Sequence, residues 1–137
     1  MTTGLRIIGH RGNGEVRQAF IRYAKWLRAR HDFPVRLPVY LSGSRRIVTV
    51  DGESATASIF LPFDTRNNPY IRIPTGDYQN LVVQHGRDNA LASMLCSLSH
   101  ELVHYWQWLE TGSTTERGVA VRAANMVRSY ALDVDHP

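Results

Sequence analysis

The sequence predicts an α+β fold: an N-terminal helix, a small mixed or mainly antiparallel sheet of three or four strands, and two C-terminal helices. Three observations carry that prediction. Apolar residues recur at three- and four-residue steps over residues 15–30 and again beyond residue 88. Between these segments, short runs of alternating apolar residues are bounded by Pro, Gly and Asn, the pattern of strands joined by turns. The 137 residues show no repeat, linker or low-complexity tract, which predicts one domain, 1–137, around a single core.

Residues 5–8 (Leu-Arg-Ile-Ile) read as a short strand or an ordered arm, and residues 9–14 as a glycine-rich loop. Residues 15–30 read as a helix with the apolar stripe Val16, Phe20, Tyr23 and Leu27. Arg30-His31-Asp32 and then Pro34 mark its end. His10 and His31 fall in surface loops. Residues 35–41 alternate as a strand, and Pro38, lacking an N–H, places it at an edge or an irregularity. A second strand covers 46–50, and Asp51-Gly52 favours a tight hairpin into a third over 55–61. Tyr70, Ile71, Arg72 and Ile73 make a short fourth strand, ended by Pro74. Such short connections favour antiparallel pairing. A helix over 88–110 follows, with Asp88 as its N-cap and Gly112 as its stop. The last helix starts after Ser113 and runs to about residue 133, with Ala120, Ala124, Val127 and Ala131 among its apolar positions.

The chemistry concentrates at Ser99-His100-Glu101-Leu102-Val103-His104-Tyr105. His100, Glu101 and His104 form H-E-x-x-H. On a helix, a spacing of four puts both imidazoles on one face, one turn apart. That suits two nitrogens on one zinc ion, with Glu101 as general base toward the metal's water. The pattern is short enough to arise by chance, so its context matters. Leu91, Leu95, Leu98, Leu102, Tyr105 and Leu109 recur as a core stripe. His100 and His104 fall on the opposite side, together with Ser93, Ser97 and Gln107. The neighbouring Tyr105, Trp106 and Trp108 read as packing residues, as does Tyr130.

A catalytic zinc takes three protein ligands and a water. The candidates downstream are Glu110, Glu116, Asp133, Asp135 and His136. Glu116 is selected, because a helix returning after Gly112 brings its first turns beside the His face. Ser113-x-x-Glu116 is also a capping box, in which the carboxylate would bond backbone at the helix start. A motif helix regular to Glu110 would rise about 9 Å beyond His104. Glu116 therefore reaches the metal only if that helix ends near Trp108 or the turn bends inward.

Charge and composition bound the partners. Fifteen Arg and one Lys give a net charge of +4 and a pI of about 9.6. The basic residues are spread along the chain with no recognised nucleic-acid motif, so a solvated surface accounts for them and nucleic acid is an unsupported partner. No apolar run approaches the ~18 residues of a membrane span. The N-terminus lacks a signal-peptide pattern, and a cytoplasmic location is expected. Cys96 has no internal disulfide partner and reads as a buried small hydrophobe.

His-Glu-Leu-Val-His-Tyr-x-Gln, preceded by a sheet and followed by Glu-Arg-x-x-Ala, resembles the zincin metallopeptidases, and within them the small gluzincin type. The likeness covers most of the chain in element order and residues 99–124 in motif. It implies a zinc-dependent peptidase acting on a peptide or protein, with one Zn2+ per chain held by His100, His104 and Glu116 and with Glu101 as general base. Two departures stand out. The gap before Glu116 is short for gluzincins, and Ala120 stands where several carry an Asp that supports a ligand histidine. SprT-like proteases, which act on DNA-bound proteins, share H-E-x-x-H but use a later histidine, a place only His136 fills; they rank second. A non-catalytic metal-binding or regulatory module on a zincin fold is the other alternative. An extended substrate would pair with a free strand edge. Tyr70, Ile71, Arg72 and Ile73 are the expected edge, being short and just before the motif helix. Tyr70, His85 and His136 are candidates for a second oxyanion donor.

Overall fold

The computed structural model describes residues 4–9, 13–48, 54–55, 57–64 and 67–134. The expected turn at Asp51-Gly52 lies outside the described residues, as do His10, Asp135 and His136. The fold is α+β, with four helices and a four-stranded mixed sheet among the described residues.

Strand β1 (Leu5–Ile8) leads into helix α1 (Gly14–Arg30). Asn13 caps that helix, its side-chain oxygen accepting from the N–H groups of Glu15 (2.9 Å) and Val16 (3.1 Å). The stripe Val16, Phe20, Tyr23 and Leu27 is buried as expected, with Ala19 and Ala24 beside it. Strand β2 (Leu37–Ser42) then pairs parallel to β1. This βαβ unit explains why the sheet is not mainly antiparallel: α1 itself is the crossover.

Strands β3 (Ile47–Val48) and β4 (Ser54–Ala55) pair antiparallel as a separate ribbon flanking the expected hairpin turn. The single third strand expected over 55–61 is thus two, β4 and then β5 (Ser58–Phe60). Strand β6 (Tyr70–Pro74) completes the sheet in the order β1-β2-β6-β5, parallel to β2 and antiparallel to β5. Pro38 consequently sits in an internal strand. Leu37 donates its N–H to Gly4 on the β1 side (2.8 Å). Successive residues of a parallel strand address opposite neighbours, so the nitrogen of Pro38 faces β6. Pairing there begins at Val39↔Ile71, so the missing N–H breaks no ladder bond.

Tyr70–Pro74 is likewise not an edge. Its middle residues Ile71 and Arg72 are paired on both sides, by β2 and by β5, so the strand is internal to the sheet. Ile71 and Ile73 are fully buried in the core. Tyr70 and Arg72 take the alternate face, where the Tyr70 ring lies 5.2 Å from Phe60 and 6.1 Å from Tyr40. The substrate-strand assignment of Tyr70, Ile71, Arg72 and Ile73 is therefore overturned. Among the described residues, the free edges of the sheet are β1 and β5.

A short helix that the sequence pattern does not announce, α2 (Tyr78–His85), precedes the motif helix α3 (Arg87–Thr111). The residue between them is Gly86, at φ +86°, which shifts the start of α3 ahead of Asp88. Asp88 accordingly lies in the first turn and is not the N-cap. The expected stripe Leu91, Leu95, Leu98, Leu102 and Tyr105 is buried in one cluster with the inner faces of β1, β2 and β6 and with α1. Tyr23 and Ser99 tie α1 to α3 at 2.6 Å in the interior. Helix α4 (Val119–Asp133) closes the fold against α3. Its buried residues are Val119, Ala123 and Tyr130, whereas Ala120, Ala124 and Ala131 are exposed. Burying a tyrosine removes far more apolar area than burying a methyl group, which sets the rotation of the helix. Asp133 anchors its end to α1, accepting from Trp26 Nε1 (2.8 Å) and pairing with Arg30 (2.7 Å).

Candidate metal centre

Helix α3 presents His100 and His104 on the side away from the Leu stripe, one turn apart, with ring centroids 5.1 Å from each other. His104 is buried, and the His100 side chain is one-third exposed. The helix does not end near Trp108. It continues to Thr111 and stops at Gly112, whose φ of +76° is the left-handed cap conformation that glycine adopts without strain. The chain must then return about 10 Å along the helix axis, at 1.5 Å per residue, to reach the level of His104. It does so as an extended return rather than as helix: α4 begins only at Val119. Glu116 thus belongs to the returning segment, and no side chain caps α4 at Gly118. The capping box is excluded by where the helix starts.

Gln107 holds the return in place. Its Nε2 donates to the Thr115 carbonyl (3.1 Å), and its Oε1 accepts from the Thr115 N–H (3.1 Å). The neighbouring Glu116 carboxylate consequently meets both imidazoles. Oε2 lies 3.0 Å from His100 Nε2, and Oε1 lies 2.8 Å from His104 Nε2. His100, His104 and Glu116 offer donor atoms that all lie within 4.8 Å of one another, a group that can hold a metal ion. Two imidazole nitrogens and one carboxylate are a known catalytic zinc donor set. A tetrahedral centre with bonds of about 2.0–2.1 Å needs ligand atoms about 3.3 Å apart. The two short nitrogen–oxygen separations, 3.0 and 2.8 Å, run to different oxygens of one carboxylate, and one donor atom from each residue lies within 4.8 Å of the others, so the residues present fit the ion with a small closing of the set around it.

Glu101 is half-buried beside the pair. Burial raises its carboxyl above the ordinary carboxylate range; His100 and His104 pull it down and Glu116 adds to the rise. It lines a hollow of about 340 Å³ with His100, Ser93, Cys96, Ser97 and Ala57. Ala57 immediately precedes β5, so the hollow opens between the motif helix and a free edge of the sheet. A larger groove of about 850 Å³ between α1 and α4 contains none of the ligand group, and its lining is mainly apolar.

The remaining sequence candidates separate from the site. Glu110 is exposed at the end of α3, and Asp133 is committed to Trp26 and Arg30. His85 is exposed at the end of α2, and Tyr70 faces the outer side of the sheet. Tyr105 is buried in packing, its hydroxyl bonded to Val35, and Tyr130 is buried against Tyr23 at 4.8 Å. Cys96, expected to be buried, is instead half-buried and, unlike these, lines the hollow beside Glu101; burial raises its thiol pKa. Two contributors were not singled out from sequence. Ala57 carries no chemical signal of its own. Gln107 did carry one, since it lies three residues after His104 on the same helix face.

Comparison with protein-family models, with curated proteins and with solved structures returns no match to this chain.

Proposed function

We propose that the chain is a small zinc-dependent peptidase of the gluzincin kind. The observation that supports this most is the convergence of Glu116 on both motif histidines with Glu101 alongside. His100 Nε2, His104 Nε2 and one Glu116 oxygen would hold the ion. When bound, zinc supplies Lewis acidity, lowering the pKa of water and polarising a carbonyl. Glu101 takes the proton of the attacking water and delivers it to the leaving amine. The extended substrate pairs with the free edge of β5, which brings its backbone alongside the hollow. A glutamate as the third ligand favours the gluzincin pattern over the SprT-like one, which needs a later histidine.

The test combines zinc content with cleavage of a peptide library. Purified protein should carry one zinc per chain and cleave peptides. Glu101→Gln should keep its zinc and lose roughly 10²–10⁴-fold in kcat/KM. Unchanged cleavage in that variant, with zinc retained, excludes Glu101 as the base. Protein that binds no zinc yet is fully stable points instead to a non-catalytic module.

A further inference from the structure

We infer that Gln107 is the positioning residue of this site: one side-chain amide sets both the proton on His104 and the place of the loop that carries Glu116. The inference rests on the metal-centre reading for its consequence, but its geometry stands on hydrogen bonds alone.

Two backbone groups beside Gln107 have hydrogen-bonding roles that cannot change. The Thr115 N–H can only donate, and the Thr115 carbonyl can only accept. The first lies 3.1 Å from one end of the Gln107 amide and the second 3.1 Å from the other. Backbone chemistry therefore fixes which end of Gln107 is oxygen, an assignment that an amide in a less constrained setting leaves open. That same Oε1 lies 2.9 Å from His104 Nδ1. An amide oxygen only accepts, so Nδ1 must carry the hydrogen. Nε2 is then the nitrogen left for a metal: it faces Glu116 at 2.8 Å, where a hydrogen is shared with the carboxylate until an ion takes its place. The chain of constraint runs from the Thr115 backbone, through one amide, to the tautomer that leaves His104 able to bind a metal.

The same side chain does the mechanical work of the return. Its paired bonds to Thr115 imitate a two-residue strand bridge, and they act one residue before Glu116. Only glutamine supplies this set. Glutamate cannot donate to the Thr115 carbonyl, asparagine is a methylene shorter, and methionine keeps the size without either bond. Gln107 also supplies, from the motif helix itself, a partner for a ligand histidine of the kind Ala120 is too small and apolar to give.

The test compares wild type with Gln107→Met by three readouts. Imidazole nitrogen shifts in long-range ¹H–¹⁵N spectra of the metal-free protein report the His104 tautomer. Amide hydrogen exchange reports Thr115, and chelator competition reports the zinc dissociation constant. Wild type should show a hydrogen held on His104 Nδ1, whatever the state of Nε2, and a protected Thr115 amide. The variant should mix tautomers at His104, expose Thr115 to exchange, and bind zinc 10–100-fold more weakly while keeping its circular dichroism spectrum. An unchanged tautomer and unchanged Thr115 protection in Gln107→Met overturn the inference, and so does zinc affinity within twofold of wild type. If wild type binds no zinc, the metal-centre reading fails, while the tautomer and exchange measurements still decide the role of Gln107.

Discussion

Ser99, the residue before the motif, decides how α1 meets α3. Its Oγ donates to the Leu95 carbonyl at 2.8 Å. With its single hydrogen used there, it can only accept from the Tyr23 hydroxyl at 2.6 Å. The two partners are therefore not equivalent. Tyr23→Phe removes a donor and leaves Ser99 still bonded to Leu95, so it should cost about 0.5–1.5 kcal/mol. Ser99→Ala strands a buried hydroxyl without an acceptor and should cost about 1–3 kcal/mol. Urea denaturation of both variants checks the order; a larger loss in Tyr23→Phe would show that the ring itself is displaced. Ser99 on a helix beside H-E-x-x-H is visible in the sequence. Its partner is not, because Tyr23 lies 76 residues away and only the packing of α1 on α3 brings them together.

At the scale of elements, the motif helix was legible because a Leu stripe of 3.6-residue period has no other cause, and the stripe is buried as read. Helix α2 was not legible: Leu81, Val82 and Val83 are contiguous rather than periodic, and only Tyr78 in that helix is buried. Of the expected stripe of α4, Val127 packs against the core whereas Ala120, Ala124 and Ala131 are exposed, because alanines carry periodicity but little burial energy and Val119 and Tyr130 set the orientation. The turn after α3 was posed correctly as a choice between an early stop and an inward bend. Its resolution depends on Gly112 and on Gln107, a cap and a staple that act together. Gly112 is at φ +76° with open space where a Cβ would stand, so the only penalty for a side chain there is backbone strain. Gly112→Ala should cost about 1–2 kcal/mol by chemical denaturation, and Gly112→Asn markedly less, because asparagine tolerates the left-handed region. Equal stability of Ala and Gly would mean that the turn relaxes away from this conformation.

Across the whole molecule, sheet order was the least legible feature. The strands themselves carry the alternation expected of them, but nothing local says that β6 inserts between β2 and β5. That insertion depends on α1 acting as a crossover and on the chain passing through the β3–β4 ribbon before returning. Among the described residues it puts β5, not β6, at the edge of the sheet. The site also joins parts that are otherwise separate, since His100 and His104 belong to α3 whereas Glu116 hangs on the segment between α3 and α4. An ion bound there closes that segment onto the helix and exists only in the folded chain. Zinc at 100 times its dissociation constant should therefore stabilise the native state by about 2.7 kcal/mol. With an unfolding entropy of about 2.1 cal/mol/K per residue, that raises Tm by roughly 9 °C for a chain of this size. Differential scanning calorimetry of chelator-stripped protein, with and without zinc, measures the shift. His104→Ala should abolish it, because the remaining His100 and Glu116 leave only two ligands. A shift of equal size in His104→Ala would place the stabilising ion elsewhere on the chain.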